Sequence, residues 1–433
     1  MTPPILGILG FFVAMALTLI GVPVAIAMAV TGVAGFAILN GTAGAIYVLG
    51  SAPFEAVFPY SLSVIPLFVA MGVFSAHAGL STSLFGAMNM VFKRFRGGLA
   101  MATVGACAIF GAICGSSLAT AATMGRIAVP EMIREGYAPS LAGASVAAAG
   151  TLGVLIPPSV LMVIYALLTE NSIGQLFAAA LLPGLLATGL YITAVAVTVR
   201  VSPNATRPVE HDGAAARESK FDKSVIAAIS LFVVVLGGLY TGLFSANEAA
   251  AVGAFGAVVL AIVMKTRASA MVDAALETAR TSAMIFMILV GAALFNFFIE
   301  GTGLATILGN WITDSGLPPT IIILMILVFY LILGCFMDSL SMILLTIPIV
   351  YPIVVNLGYD PIWFGIIVVS VAEIGLITPP IGMNLFVVQN VAPQVRQSDI
   401  IRGILPFIVA DVIRLFLFVA FPAIILFLPG LMR

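Results

Sequence analysis

Two polar interruptions in an otherwise apolar chain hold the residue types that can bind ions. One is Gly115-Ser116-Ser117, followed by Thr120 and Thr123; the other is Asp338-Ser339. Each has a companion further along: Gly150-Thr151-Leu152-Gly153 running into Pro157-Pro158-Ser159, and Gly375 running into Thr378-Pro379-Pro380. Proline removes an amide donor and frees the carbonyls of the preceding turn. Freed carbonyls at membrane depth suit a small cation such as sodium, and half-helix N-termini suit an anion. Gly153, Ile156 and Pro158 are therefore expected to offer carbonyls toward Ser116 and Ser117. Gly375, Thr378 and Pro380 are expected to do the same toward Asp338 and Ser339. An ionisable residue at membrane depth is costly and functional by default, so Asp338 is assigned to sodium binding or to structuring its tip. Lone serines and glycines in membrane helices usually serve packing. Matched recurrence at both interruptions argues instead for ligands at Ser116, Ser117, Ser339 and Thr378.

The interruptions are copies of one another. A shift of 222 positions carries Ser117-Leu118 onto Ser339-Leu340, Pro130 onto Pro352, and Gly136-Tyr137 onto Gly358-Tyr359. The same shift carries Pro139 onto Pro361, Gly143 onto Gly365, Gly153 onto Gly375, and Pro157-Pro158 onto Pro379-Pro380, without a gap. The pattern reads as an internal duplication.

Composition says what surrounds these residues. Of 433 residues, 62% are hydrophobic and only 8% charged, against about 25% charged in a soluble protein. The chain is expected to be an all-α polytopic membrane protein. The first run, Ile5 to Ile20, has no basic residue ahead of it and no small-residue cleavage site, so it reads as a retained span. Three cysteines in apolar stretches exclude a disulfide framework, and two distant histidines exclude an ordinary metal site.

Spans are expected at about 5–20, 23–39, 60–76 and 175–199, with a re-entrant hairpin at about 97–137 and a broken helix at about 139–168. The second half repeats the order: spans at about 225–243, 249–264, 281–299 and 404–428, a hairpin at 317–357, a broken helix at 361–391. Gly79–Arg96, Thr266–Arg280 and Gly301–Gly316 are read as amphipathic interfacial pieces, and 201–224 as a solvated linker between repeats 1–200 and 225–433. Five crossings and one hairpin per half imply that the halves are inverted. Placing Lys93–Arg96 on the cytoplasmic side puts every one of the seventeen basic residues there except Arg414 and Arg433. Both termini then lie in the periplasm. Asp411 is expected to pair with Arg414 three residues on. Asn384 is read as a substrate ligand or a helix cap, and Trp311 and Trp363 as interfacial anchors.

The segments GAICGSSLATAATMG, GTLGVLIPPS, SIGQLFAAALLPG and GLITPPIGMN resemble the large membrane subunit of the tripartite ATP-independent periplasmic (TRAP) transporters, over nearly the whole chain. The resemblance implies an elevator-type fold and sodium-coupled import across the bacterial inner membrane. It also implies a small four-helix membrane partner and a periplasmic protein that delivers a small organic anion: a dicarboxylate, sugar acid or ectoine. The family's positions carry over to Ser116, Gly153, Ile156, Pro158, Asp338, Gly375, Thr378 and Pro380 for sodium. For substrate they carry over to Ser117, Thr120, Ser159, Ser339 and Asn384. Cys114 stands where the family pattern has a small, serine-like residue. A proton-coupled or binding-protein-independent exchanger of the same fold is the alternative. An intramembrane aspartyl protease lacks its second aspartate motif, and a channel would want a continuous polar lining.

Overall fold

In lipid a backbone must satisfy its own hydrogen bonds, so long apolar runs fold as helices. The computed structural model describes residues 2–206 and 223–432; among them the regular structure is helical, joined by turns and short loops, with one isolated bridge between Tyr137 and Thr206. Residues 207–222 of the expected linker lie outside the described residues. The first half holds α1 (Pro3–Leu19), α2 (Val24–Val57), α3 (Val64–His77), α4 (Leu80–Phe92), α5 (Gly98–Cys114), α6 (Ser117–Arg134), α7 (Pro139–Gly150), α8 (Leu152–Leu155), α9 (Val160–Leu168) and α10 (Ile173–Val201). The second holds α11 (Lys223–Tyr240), α12 (Ala246–Val263), α13 (Ala268–Thr302), α14 (Leu304–Asp314), α15 (Pro319–Gly334), α16 (Ser339–Asn356), α17 (Pro361–Ile377), α18 (Met383–Val391), α19 (Gln397–Ala420) and α20 (Ala423–Leu431).

Among the described residues, seven helices are long and apolar enough to cross a membrane, or eight if the bent pair 139–168 is one span. That pair bends by 42° between α8 and α9. Shorter apolar helices, α1, α5, α11, α15 and α17 among them, fill the remaining expected spans and hairpin arms.

Several boundaries differ from those expected, each for a local reason. α2 does not stop near residue 39: it breaks at Gly41 (φ 81°) and resumes to Val57. A left-handed φ of this kind costs glycine little. Thr266–Arg280 is not a separate interfacial piece, because α13 runs unbroken through it for 35 residues. Shifted by 222 positions, the break before α3 at Pro59 falls on Thr281, so the second half lacks the proline that divides the first. The last span ends at Ala420, where Phe421-Pro422 separates α19 from α20.

Elsewhere the helix bounds keep the 222-residue offset. α6 and α16 are each 18 residues long and open at Ser117 and Ser339. Packing sorts the helices into two groups. α1, α2 and α3 pack with α11, α12 and α13, while α5 to α10 pack with α15 to α20. α4 packs on α5 and α14 on α16, so each lies where the groups meet.

Candidate functional site

Both hairpins turn at capped helix starts. Gly115 takes a left-handed conformation (φ 66°), after which Ser116 caps α6 by accepting the Ala119 N–H at 3.4 Å. Asp338 caps α16 by accepting the Ser341 N–H at 3.0 Å, and it also accepts from the Ser341 hydroxyl. The caps satisfy amides that a helix start leaves unpaired. Ser116, Ser117, Asp338 and Ser339 then line one cavity of about 210 Å³. The two tips, remote in sequence, meet there.

The broken helices press against the hairpins from behind. A Cβ built on Gly153 would lie 2.7 Å from Thr120 Oγ1 and 3.0 Å from the Ser116 carbonyl oxygen. One built on Gly115 would lie 3.0 Å from the Pro158 carbonyl oxygen. Buried Thr120 Oγ1 has no partner. The Ser116 and Thr120 oxygens thus lie against Gly153, and the Pro158 carbonyl oxygen against Gly115, at the first break.

The second break is arranged differently. Gly375 lies against Gly334, its carbonyl already accepts the Thr378 N–H at 3.1 Å, and Thr378 Oγ1 donates to the Ile374 carbonyl at 2.6 Å. Both Pro157-Pro158 and Pro379-Pro380 are cis. A methyl group at Gly375 would sit 2.5 Å from Gly334 Cα, where backbone meets backbone. Gly375→Ala should therefore cost about 1–3 kcal/mol through overpacking, read as a lower unfolding midpoint in detergent. An unchanged midpoint would show that hairpin and broken helix separate freely.

The remaining sites sort by environment. Ser159 is fully buried as the cap of α9, accepting the Met162 N–H at 3.4 Å, and does not line the cavity. Ile156, Pro158, Thr378 and Pro380 lie behind the tips, also outside its lining. Asn384 does not cap α18, whose N-cap is Gly382. Its Nδ2 donates instead to Ser117 Oγ at 2.9 Å and to the Ala147 carbonyl at 3.0 Å, tying the second broken helix to the first tip. Trp363 is not an interfacial anchor: it is buried, donates Nε1–H to the Phe418 carbonyl at 3.0 Å and stacks on Tyr359. Trp311 is exposed.

Two features carry more weight here than in the sequence. Glu373, in the middle of apolar α17, lines the cavity and accepts from Ser339 Oγ at 3.0 Å. Ser117, the residue 222 positions before Ser339, faces the same carboxyl group. A carboxyl group inside an apolar helix is itself a signal, but its place between the two tips is a long-range fact. Asp411 and Arg414 pair at 3.0 Å as their spacing implies, fully buried. Tyr191 donates to Asp411 at 2.9 Å, and Thr151 Oγ1 lies 3.2 Å from the Tyr191 hydroxyl. A polar chain thus runs from the first break to α19.

Comparison with known proteins gives consistent results. The family model for the tripartite ATP-independent periplasmic transporter, DctM component, matches residues 11–424. The C4-dicarboxylate TRAP transporter large permease protein DctM of Pseudomonas aeruginosa is 36% identical over 382 residues, 87% of this chain and 88% of the relative. The sialic acid TRAP transporter large permease protein SiaM of Vibrio cholerae is 30% identical, covering 86% and 87%. Among solved structures, the Alcanivorax borkumensis YdaH transporter superposes with a TM-score of 0.62 at 15% identity, covering 88% of this chain and 89% of the other. At that identity the likeness concerns the fold alone.

Proposed function

The chain belongs to the DctM component family of tripartite ATP-independent periplasmic transporters, and on that premise we propose that it moves a small organic anion inward by sodium-coupled displacement of its hairpin-bearing helices. Membership makes it a multi-pass large permease of a secondary transport system for organic acids, working with a small membrane subunit and a periplasmic binding protein. The observation that carries the finer reading is the convergence of both tips on one cavity. Each tip is a helix start, whose unpaired amides favour an anion. Behind the first tip crowd the oxygens of Ser116, Thr120 and Pro158.

The mechanism follows from that layering. Sodium held behind a tip neutralises local carbonyl dipoles and fixes tip against broken helix, which shapes the cavity face for the anion. The second half supplies a second layer through the Asp338 and Ser339 side chains, since the Gly375 carbonyl and the Thr378 hydroxyl are already hydrogen-bonded. The group containing α5 to α10 and α15 to α20 is the mover, and the group containing α2, α3, α12 and α13 is the fixed frame. The charge distribution of the sequence favours placing both termini in the periplasm of a bacterial inner membrane.

The test is uptake into proteoliposomes holding both membrane subunits, with the binding protein supplied outside. Uptake should require a sodium gradient and rise with sodium at a Hill coefficient above one. Ser117→Ala, which removes the hydroxyl that accepts from Asn384, should raise the sodium needed. Undiminished uptake in potassium-only buffer would sink the coupling assignment.

A further inference from the structure

The charged residues that line the cavity where the tips meet are, among the described residues, Glu277, Asp338 and Glu373, with no lysine, arginine or histidine beside them. Two of these carboxyl groups have work elsewhere. Asp338 caps α16, and Glu277 pairs with His77 Nε2 at 2.9 Å. Glu373 is placed otherwise. It is 1% exposed, one oxygen accepts from Ser339, the Ser117 hydroxyl faces the same carboxyl group, and the other oxygen, Oε2, makes no hydrogen bond among the described residues. A buried acceptor without a donor costs the full desolvation of that group.

Among the described residues, no charged donor on the helices packed on α17 hydrogen-bonds Glu373 Oε2, and α16 carries no charged side chain. α8, α9, α15, α18 and α20 carry no Asp, Glu, Lys, Arg or His. α10 has only Arg200, in its last turn; α19 has Arg402, which is exposed, and Arg414, which is paired with Asp411. The cavity therefore offers, in Glu373 Oε2, an acceptor that a donor on an incoming molecule can meet.

We propose that Glu373 Oε2 accepts a hydrogen bond from a hydroxyl or ammonium group of the transported molecule. The cavity then takes hydroxy acids and amino-bearing acids ahead of acids that carry anionic groups alone. This rests on the organic-anion reading above and deepens it. Coulomb repulsion works in the same direction. A bare anion beside carboxyl groups with no lining cation is repelled, whereas a donor end turned to Glu373 lets the anionic end face the helix starts.

The test is calorimetric binding to the purified complex of both membrane subunits in sodium buffer, using three matched sets. These are succinate, malate and aspartate; propionate, lactate and alanine; ethanesulfonate, isethionate and taurine. In any set that binds, the hydroxy or amino member should bind about tenfold or more tightly than its bare acid, the worth of one buried acceptor satisfied. Glu373→Leu should erase that ratio. Equal affinity within a binding set, or a ratio kept by a folded Glu373→Leu protein, overturns the proposal and leaves the transport reading standing. Should that variant fail to fold, the wild-type ratios decide alone. Binding by no member of any set would remove the organic-anion reading, and this inference with it.

Discussion

Replacing Arg414 with leucine should cost the protein about 3–5 kcal/mol of stability, the penalty for stranding one charge of a buried pair. Asp411 would be left fully buried with only the Tyr191 hydroxyl beside it. Tyr191 is itself the link to Thr151 at the first break, so the damage should reach the hairpin. Replacing both partners, Asp411→Leu with Arg414→Leu, should recover most of the loss, because a buried pair is often no better than well-packed apolar side chains. Tyr191→Phe should cost less, about 1–3 kcal/mol for an acceptor left short of one donor. Unfolding midpoints of wild type, Asp411→Leu, Arg414→Leu and the double variant form a double-mutant cycle. A single Arg414→Leu variant that unfolds like wild type would show that the pair contributes nothing.

The second large effect concerns movement. A cavity of about 340 Å³ separates the two helix groups, with Ser61 and Leu62 on the α2–α3 side and Leu168 and Pro348 on the other. If one group slides past the other, this gap must change in every cycle. Cysteines at Ser61 and Leu168, bridged by a short cleavable reagent, should lower uptake to background, and cleavage should restore it. The native Cys107, Cys114 and Cys335 would first be replaced. Single variants treated alike should transport normally. Uptake that continues with bridging complete would mean gating around a stationary site, and the elevator proposal would fall while the family stood.

Much of this arrangement was legible because it is local. Ser116 and Asp338 announce helix starts, and the proline pairs announce breaks, since both effects act within one turn. The all-helical membrane fold follows from hydropathy for the same reason. The Asp411–Arg414 pair needs only a three-residue spacing. What stayed hidden depends on distant partners. Trp363 looked like an anchor at the interface, but the Phe418 carbonyl that buries it lies 55 residues on. Asn384 reads as a substrate ligand or a cap, yet its partner Ser117 is 267 residues away. Glu373 gains its place from Ser339 and Ser117, which no local pattern around it shows. The unbroken α13 was missed for a subtler reason. Its polar first turns resemble an interfacial piece, and only the lack of a residue like Pro59 lets the helix continue.

That continuity gives the permease a gauge. At 1.5 Å per residue the 35 residues of α13 make a rod of about 52 Å, against a hydrocarbon slab of about 30 Å. Its length is fixed by the backbone, whereas the slab varies with lipid chain length and sterol content. Asp273, Glu277 and Arg280 all fall in its first half, so a thicker bilayer draws this charged portion toward oil and a thinner one releases it. Glu277 reaches His77 on α3, so the adjustment is passed to a neighbouring helix rather than absorbed by one rod tilting alone. The first half, hinged at Gly41 and Pro59, can bend where α13 cannot. Lipid thickness thus bears unequally on the two halves of a molecule whose sequence repeats.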